Sequence, residues 1–275
     1  MSAVIYDKDI GFTERQKSEI DYHVGFAAQH RGLAEENANL DVCTSDTRRP
    51  WNAYWSLYDR VRGMDLRGKR VLIPGCGFGE DCLRIAQRGA DVHGLDLSPD
   101  IVDIARARVA RFAPGSITVQ AMPCEQIDYP DGYFDAVMLV NILHHVDIPR
   151  TMKEVVRVTK PGGELLGLEM YTHSAAQRIR ESKFSREILY PRVMRTIYGG
   201  VPYITPDERK LNEDELDFIT GHLKGCESEY FCMLTDRLFS DSNVTLAKFD
   251  KALLRLAGGL GRYLAGRVVF SGQRI

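Results

Sequence analysis

The sequence predicts an α/β fold built on a doubly wound, mostly parallel sheet. Three observations predict it. An apolar run at 71–73 opens directly into a glycine-rich turn, an acidic residue closes the next apolar run, and strand-like runs go on alternating with helical periodicity as far as residue 170. A helical segment at 1–67 precedes this core, which occupies 68–170. A helical cap is expected at 171–225, inserted after the fifth strand, and 226–275 should complete the core with strands and a helix.

Val71, Leu72 and Ile73 are the short, continuously apolar run of a strand covered on both faces. Gly75, Gly77 and Gly79 then let the backbone turn sharply and approach a ligand closely. From Glu80 to Arg88 the chain reads as a helix, with Cys82 or Leu83, Ala86 and Ala90 at helical spacing and Gly89 as a left-handed cap. The strand at 91–95 follows and ends on Asp96, about 20 residues past the first glycine, the usual distance for a carboxylate that accepts hydrogen bonds from ribose hydroxyls. Ser98 and Pro99 are an N-cap and a first helical residue. An adenosine cofactor is therefore expected.

A dinucleotide fingerprint would need a third glycine at position 80, where this chain has Glu80, a carboxylate that would face a pyrophosphate. The turn G-x-G-x-G, Asp96, the segment PCEQIDYPDGYFDAVML at 123–139, LHHV at 143–146 and RVTKPGG at 157–163 together resemble the class I S-adenosylmethionine-dependent methyltransferases of small molecules. The resemblance implies a Rossmann-like sheet and S-adenosylmethionine as cofactor. It places Gly75, Cys76, Gly77 and Gly79 at the cofactor turn, Asp96 on the ribose, Leu97 as an apolar plate for adenine, Cys124 and Glu125 in the adenine loop and Asn141 near the methionyl part. Two positions depart from the family pattern. Ile73 stands where an acid usually helps hold the cofactor's amino group, leaving Glu80, Asp81 or backbone carbonyls near Gly75 as substitutes, and Pro123 replaces the familiar Asp of the third-strand loop.

In such a sheet the first and fourth strands flank the point where strand order reverses, and the fifth lies next to the fourth. His144 or His145 and Glu169 are thus expected to meet in one pocket, with the carboxylate orienting a histidine base that deprotonates a hydroxyl or phenol. The resemblance to sugar and natural-product O-methyltransferases with paired histidines points the same way. The expected activity is O-methylation of a small molecule, a secondary metabolite. The alternatives are C-methylation of a quinone or sterol-like lipid, or a regulatory subunit that binds the cofactor without turnover, for which Ile73 is the best argument. Base methylation of RNA or DNA is disfavoured, because 141–144 read Asn-Ile-Leu-His rather than Asn or Asp, Pro, Pro and an aromatic.

The 36 basic and 38 acidic residues leave a formal charge of −2, so bulk charge offers no basic face for nucleic acid. Six cysteines without a C-x-x-C pair, and no histidine cluster at zinc spacing, imply reduced thiols and no metal site. No apolar run has the length of a membrane span and the N-terminus lacks a leader pattern, so a cytoplasmic protein is expected. Trp51, Tyr54, Trp55 and Tyr58 form a helical stripe expected to pack on the sheet, with Tyr22 and His23 as candidates for a wall over the site. Six basic residues between Arg178 and Arg195 read as a solvated helix face, and the apolar stretch at 253–270 as core.

Overall fold

The computed structural model describes residues 12–181, 210–235, 239–240 and 242–275. Seven strands, β1 (Arg70–Pro74), β2 (Asp91–Asp96), β3 (Ile117–Ala121), β4 (Phe134–Val140), β5 (Thr159–Met170), β6 (Leu223–Phe231) and β7 (Arg267–Arg274), form one sheet in the order β3-β2-β1-β4-β5-β7-β6. β1 to β5 pair in parallel, while β7 runs antiparallel to both β5 and β6. Strand order reverses between β1 and β4, and this is where the carboxyl ends of an open α/β sheet leave a crevice.

The two-residue side-chain period of a strand divides the core into two layers. Val71 and Ile73 of β1, Ala136 and Met138 of β4 and Leu166 and Leu168 of β5 join one apolar cluster; Leu72, Val137, Leu139 and Leu165 join the other. The first cluster is covered by α3 (Ala53–Arg62), α4 (Glu80–Ala86) and α5 (Pro99–Phe112), the second by α6 (Ile148–Val158) and by α8 (Glu213–Thr220), which follows α7 (Ser174–Glu181) in the chain. Tyr58 and Trp55 are buried in the first cluster, so the aromatic stripe packs on the sheet as its spacing implies.

Local chemistry sets the ends of these elements. Ser98 caps α5 through Ile101 N–H with Pro99 behind it, and Gly89 is left-handed at φ 81° before β2. Ahead of the sheet, α1 (Glu14–Gln29) begins on a capping box between Thr13 and Gln16, and a short α2 (Asp41–Thr44) follows. The C-terminal half of α1 packs Ala27 against Ile101 and Ile104 of α5.

Several boundaries differ from the sequence expectation. The sixth strand starts at Leu223 rather than Cys226, because Gly221 ends α8 and Leu223 already pairs with Arg274. The stretch at 253–270 is only partly core. Val268, Val269 and Phe270 are buried in β7, but a turn at Gly258–Leu260 ends α9 (Val244–Leu256) and leads into α10 (Gly261–Leu264), leaving Leu256, Leu260 and Leu264 exposed. Residues 182–209, which hold most of the expected cap and of the basic run, lie outside the described residues. Their flanks meet: Tyr171 and Leu211 form a parallel bridge, so the chain leaves the sheet after β5 and returns beside its own exit.

Gly167 and Phe270 are partners in the β5–β7 register, and a Cβ on Gly167 would lie 2.1 Å from the ring of Phe270. Gly167→Ala is expected to lower the unfolding free energy by about 1–3 kcal/mol through overpacking, measured by urea denaturation. Unchanged stability would mean that the ring is free to give way.

Candidate active site

The glycine turn after β1 is held against the end of β2 and against the turn after β4. Gly75 (φ 66°), Gly77 (φ 51°) and Gly79 (φ 77°) are all left-handed, and a Cβ on Gly75 would lie 2.4 Å from Ile142 Cδ1. Cys76 N–H donates to the Leu95 carbonyl (2.8 Å), and its thiol is buried beside Cys82, so Cys76 offers the crevice only backbone. The Asp96 carboxylate accepts from Gly77 N–H (3.0 Å) and Ser98 N–H (3.1 Å), one to each oxygen. Burial raises its pKa and the two amides oppose the rise. Leu97 beside it is half-buried.

At the other side of the crevice, β5 delivers Glu169, which is fully buried. Its Oε1 accepts from Ile142 N–H (2.7 Å) and Leu143 N–H (2.6 Å), and its Oε2 lies 2.8 Å from His144 Nδ1. His144 is buried, whereas the His145 side chain is 31% exposed. Glu169 and one histidine therefore meet as their strand ends imply, and that histidine is His144. His145 has a carboxylate of its own, Glu19 of α1, at 3.1 Å from its Nδ1.

Other candidate residues are committed within the protein. Asn141 is left-handed (φ 51°), donates its N–H to the Leu168 carbonyl and accepts from Arg267 through its side chain. Both oxygens of Glu125 are engaged, one by Asp147 N–H (3.1 Å) and one by Gln16 of α1 (3.0 Å). Cys124 is buried with its thiol beside the amide of Gly75, and burial pushes that thiol up. Glu80 accepts from Arg84 (2.7 Å), Arg108 (2.6 Å) and Asn39 N–H (3.0 Å), while Asp81 accepts from the phenols of Tyr54 and Tyr58. Burial and then the Asp81 charge hold both phenols protonated, as donors.

α1 carries Tyr22 and His23, the residues expected to wall the site, but sequence reasoning missed Arg15 and Glu19 on the same helix. Arg15, Glu19 and His23 recur every fourth residue, a polar stripe where a helix packed only on apolar surface would show an apolar one. Arg15 donates to the His144 carbonyl (2.9 Å), Glu19 bridges His145 and His23, and Phe26 stacks on Phe78 of the glycine turn with centroids 5.7 Å apart.

Residues 72–167 match a protein family described as a methyltransferase domain. That stretch matches as a methyltransferase domain, on a sheet with the doubly wound strand order. A ubiquinone/menaquinone biosynthesis C-methyltransferase UbiE of Geotalea daltonii is 35% identical over 108 residues, 38% of this chain and 46% of that protein. This chain thus spans about half the length of that relative. A ubiquinone biosynthesis O-methyltransferase of Pectobacterium atrosepticum is 27% identical over 188 residues, 68% of this chain and 76% of that protein. Among solved structures, a geranyl diphosphate C-methyltransferase of Streptomyces coelicolor superposes with a TM-score of 0.59 at 14% identity, covering 96% of this chain and 99% of that one. The [4+2]-cyclase SpnF superposes with 0.55 at 17% identity, covering 94% and 96%. These likenesses share a fold across different printed activities, so function has to be argued from the site.

The crevice of the methyltransferase domain fits its sulfonium cofactor. Each Asp96 oxygen carries one amide and keeps acceptor capacity for a hydroxyl. The ring of His23, on which the Asp96 charge acts, has a buried Nδ1 without a hydrogen-bond partner, as a site for a ligand hydroxyl would leave it. A Cβ at Gly77 would meet nothing within 4 Å, so the turn has open space on that side.

Burial disfavours the charged form of His23, but Glu19 and Asp96 outweigh it and raise its pKa above the ordinary 6.5. His145 and then His23 hold Glu19 far below its ordinary 4.5. The stability from His23 is complete below 6.5 and is lost as pH rises through its raised folded pKa; that from Glu19 is complete above 4.5 and is lost as pH falls through its lowered one. Amide-exchange protection of α1, corrected for intrinsic rates and compared with α5, is therefore expected to be greatest between these values and to decline above 6.5. Protection that is flat over this range would show that the tether does not hold the helix.

Proposed function

We propose that the protein is an S-adenosylmethionine-dependent O-methyltransferase acting on a hydroxyl of a small molecule, with His144 as the base. The observation that carries this reading is the buried bond between Glu169 and His144 Nδ1. A carboxylate on Nδ1 fixes the tautomer, leaves the Nε2 lone pair to take a proton and stabilises the imidazolium that results.

When bound, the cofactor supplies an electrophilic methyl group on a sulfonium. Asp96 would hold the ribose hydroxyls, Leu97 would lie on adenine, and the backbone of Gly75, Cys76 and Gly77 would follow the methionyl part. Cys124, Glu125 and Asn141 shape the adenine loop and the strand end around it. With Glu80 and Asp81 engaged by arginines and tyrosines, backbone carbonyls of the glycine turn remain to receive the ammonium. Much of the rate should then come from alignment of oxygen, methyl and sulfur under α1 and from exclusion of water.

The acceptor side belongs in this reading to the segment 171–225, which leaves and rejoins the sheet at Tyr171 and Leu211. A secondary metabolite is the class of acceptor proposed. Similarity to a ubiquinone O-methyltransferase over 76% of its length supports oxygen. C-methylation of a quinone is the second reading, supported by 35% identity to UbiE over 108 residues. Six free thiols fit a reducing cytoplasm, and among the described residues no helix is long and apolar enough to cross a membrane. The −2 charge supports a small-molecule acceptor over nucleic acid.

Incubation with methyl-labelled S-adenosylmethionine and a panel of phenols, hydroxylated metabolites and demethylated quinols tests the reading, with NMR of the product locating the methyl. A methyl on oxygen is expected; a methyl on carbon would select the second reading. With an acceptor so identified, His144→Ala is expected to lower kcat by about 10²- to 10⁴-fold while calorimetric affinity for S-adenosylhomocysteine is kept. Full turnover in that variant would remove His144 as the base.

A further inference from the structure

α1 carries a carboxylate that the reaction proposed above does not use. Glu19 Oε1 lies 3.1 Å from His145 Nδ1 and 3.3 Å from His23 Nε2, with its side chain only 22% exposed. The contact with His145 repeats the one that Glu169 makes with His144. Both rings are held at Nδ1 by a carboxylate, which leaves Nε2 of each as the nitrogen without that constraint. The two rings tilt against each other with centroids 4.1 Å apart, so a turn of His145 displaces His144.

The second carboxylate comes from a different part of the chain than the first. Glu169 is built into β5, whereas Glu19 is present only while α1 lies across the crevice. The other ties of α1 end in the same region: Arg15 reaches the His144 carbonyl, Gln16 reaches Glu125, and Phe26 lies on Phe78. At the far side of Glu19, His23 keeps its buried, unpartnered Nδ1 near Asp96. One carboxylate thus spans the ring at the ribose acid and the ring next to the base.

We propose that Glu19 is a positioning residue supplied by α1: it fixes the ring of His145 and, through ring contact, that of His144, so the histidine pair is complete only when α1 is docked. The inference rests on the reading of this crevice as a methyltransferase site, but its test does not need the acceptor. In this scheme α1 closes the crevice and finishes its acid–base machinery in one movement. A cofactor hydroxyl that engages His23 would favour the same docked state.

The test is nitrogen-15 NMR of the histidine rings in the full chain, with and without S-adenosylhomocysteine. In the natural protein His145 should carry its proton on Nδ1. In Glu19→Ala the population should move toward the Nε2–H tautomer that free imidazole prefers, with a smaller change at His144. Glu19→Gln, whose amide oxygen still accepts from Nδ1, should keep the tautomer of the natural protein. Arg15→Ala, which loosens α1 without touching the carboxylate, controls for a merely structural effect and should shift His145 less than Glu19→Ala. A His145 tautomer identical in all four proteins would overturn the proposal. Failure of the natural protein to bind S-adenosylhomocysteine would instead overturn the assignment of the crevice, and the ligand-free spectra would still report on Glu19.

Discussion

The site depends on one buried carboxylate. Glu169 has no exposed surface, yet it stays compatible with the interior because two backbone amides and a histidine ring replace the water it lost. These three donors all belong to the turn after β4, so the end of β5 dictates the shape of that turn. The same turn sets Ile142 against Gly75, where any side chain on the glycine would collide. Cofactor turn, strand end and candidate base are thereby a single mechanical unit.

A second group of charges does structural work at the first turn of α4. Glu80 and Asp81 stand where a cofactor ammonium could seek them, but Arg84, Arg108, Tyr54 and Tyr58 reach them first. The arrangement ties α4 to α3 and α5 and satisfies buried guanidinium and phenol groups that would otherwise be costly to desolvate.

Much of the core was legible because its signals are local. The apolar run before Gly75, the left-handed glycines, Asp96 at the end of β2 and Ser98 as a cap each depend on neighbours within a few residues, and each stands where the sequence places it. The pairing of Glu169 with a histidine was also readable, since strand order follows from the alternating pattern. Which histidine it takes was not, because the turn at Leu143–His145 decides that and neither residue has a distinguishing neighbour. Glu19 was hidden by distance: α1 meets the histidines across more than a hundred positions, as the 129-residue separation of Arg15 and His144 illustrates. The partner of Glu125 was hidden for the same reason, since Gln16 is 109 residues away. The apolar C-terminal stretch is core only in part, because the turn at Gly258–Leu260 leaves Leu256, Leu260 and Leu264 exposed before β7.

The central claim is that the bend between β1 and α4 accepts a methylsulfonium nucleoside and not a pyrophosphate. Side-by-side calorimetric titration of the protein with S-adenosylmethionine, a nicotinamide dinucleotide and a flavin dinucleotide tests it most directly. The account predicts saturable one-site binding of the sulfonium compound and none of the dinucleotides. Uptake of either dinucleotide with no response to S-adenosylmethionine would contradict it.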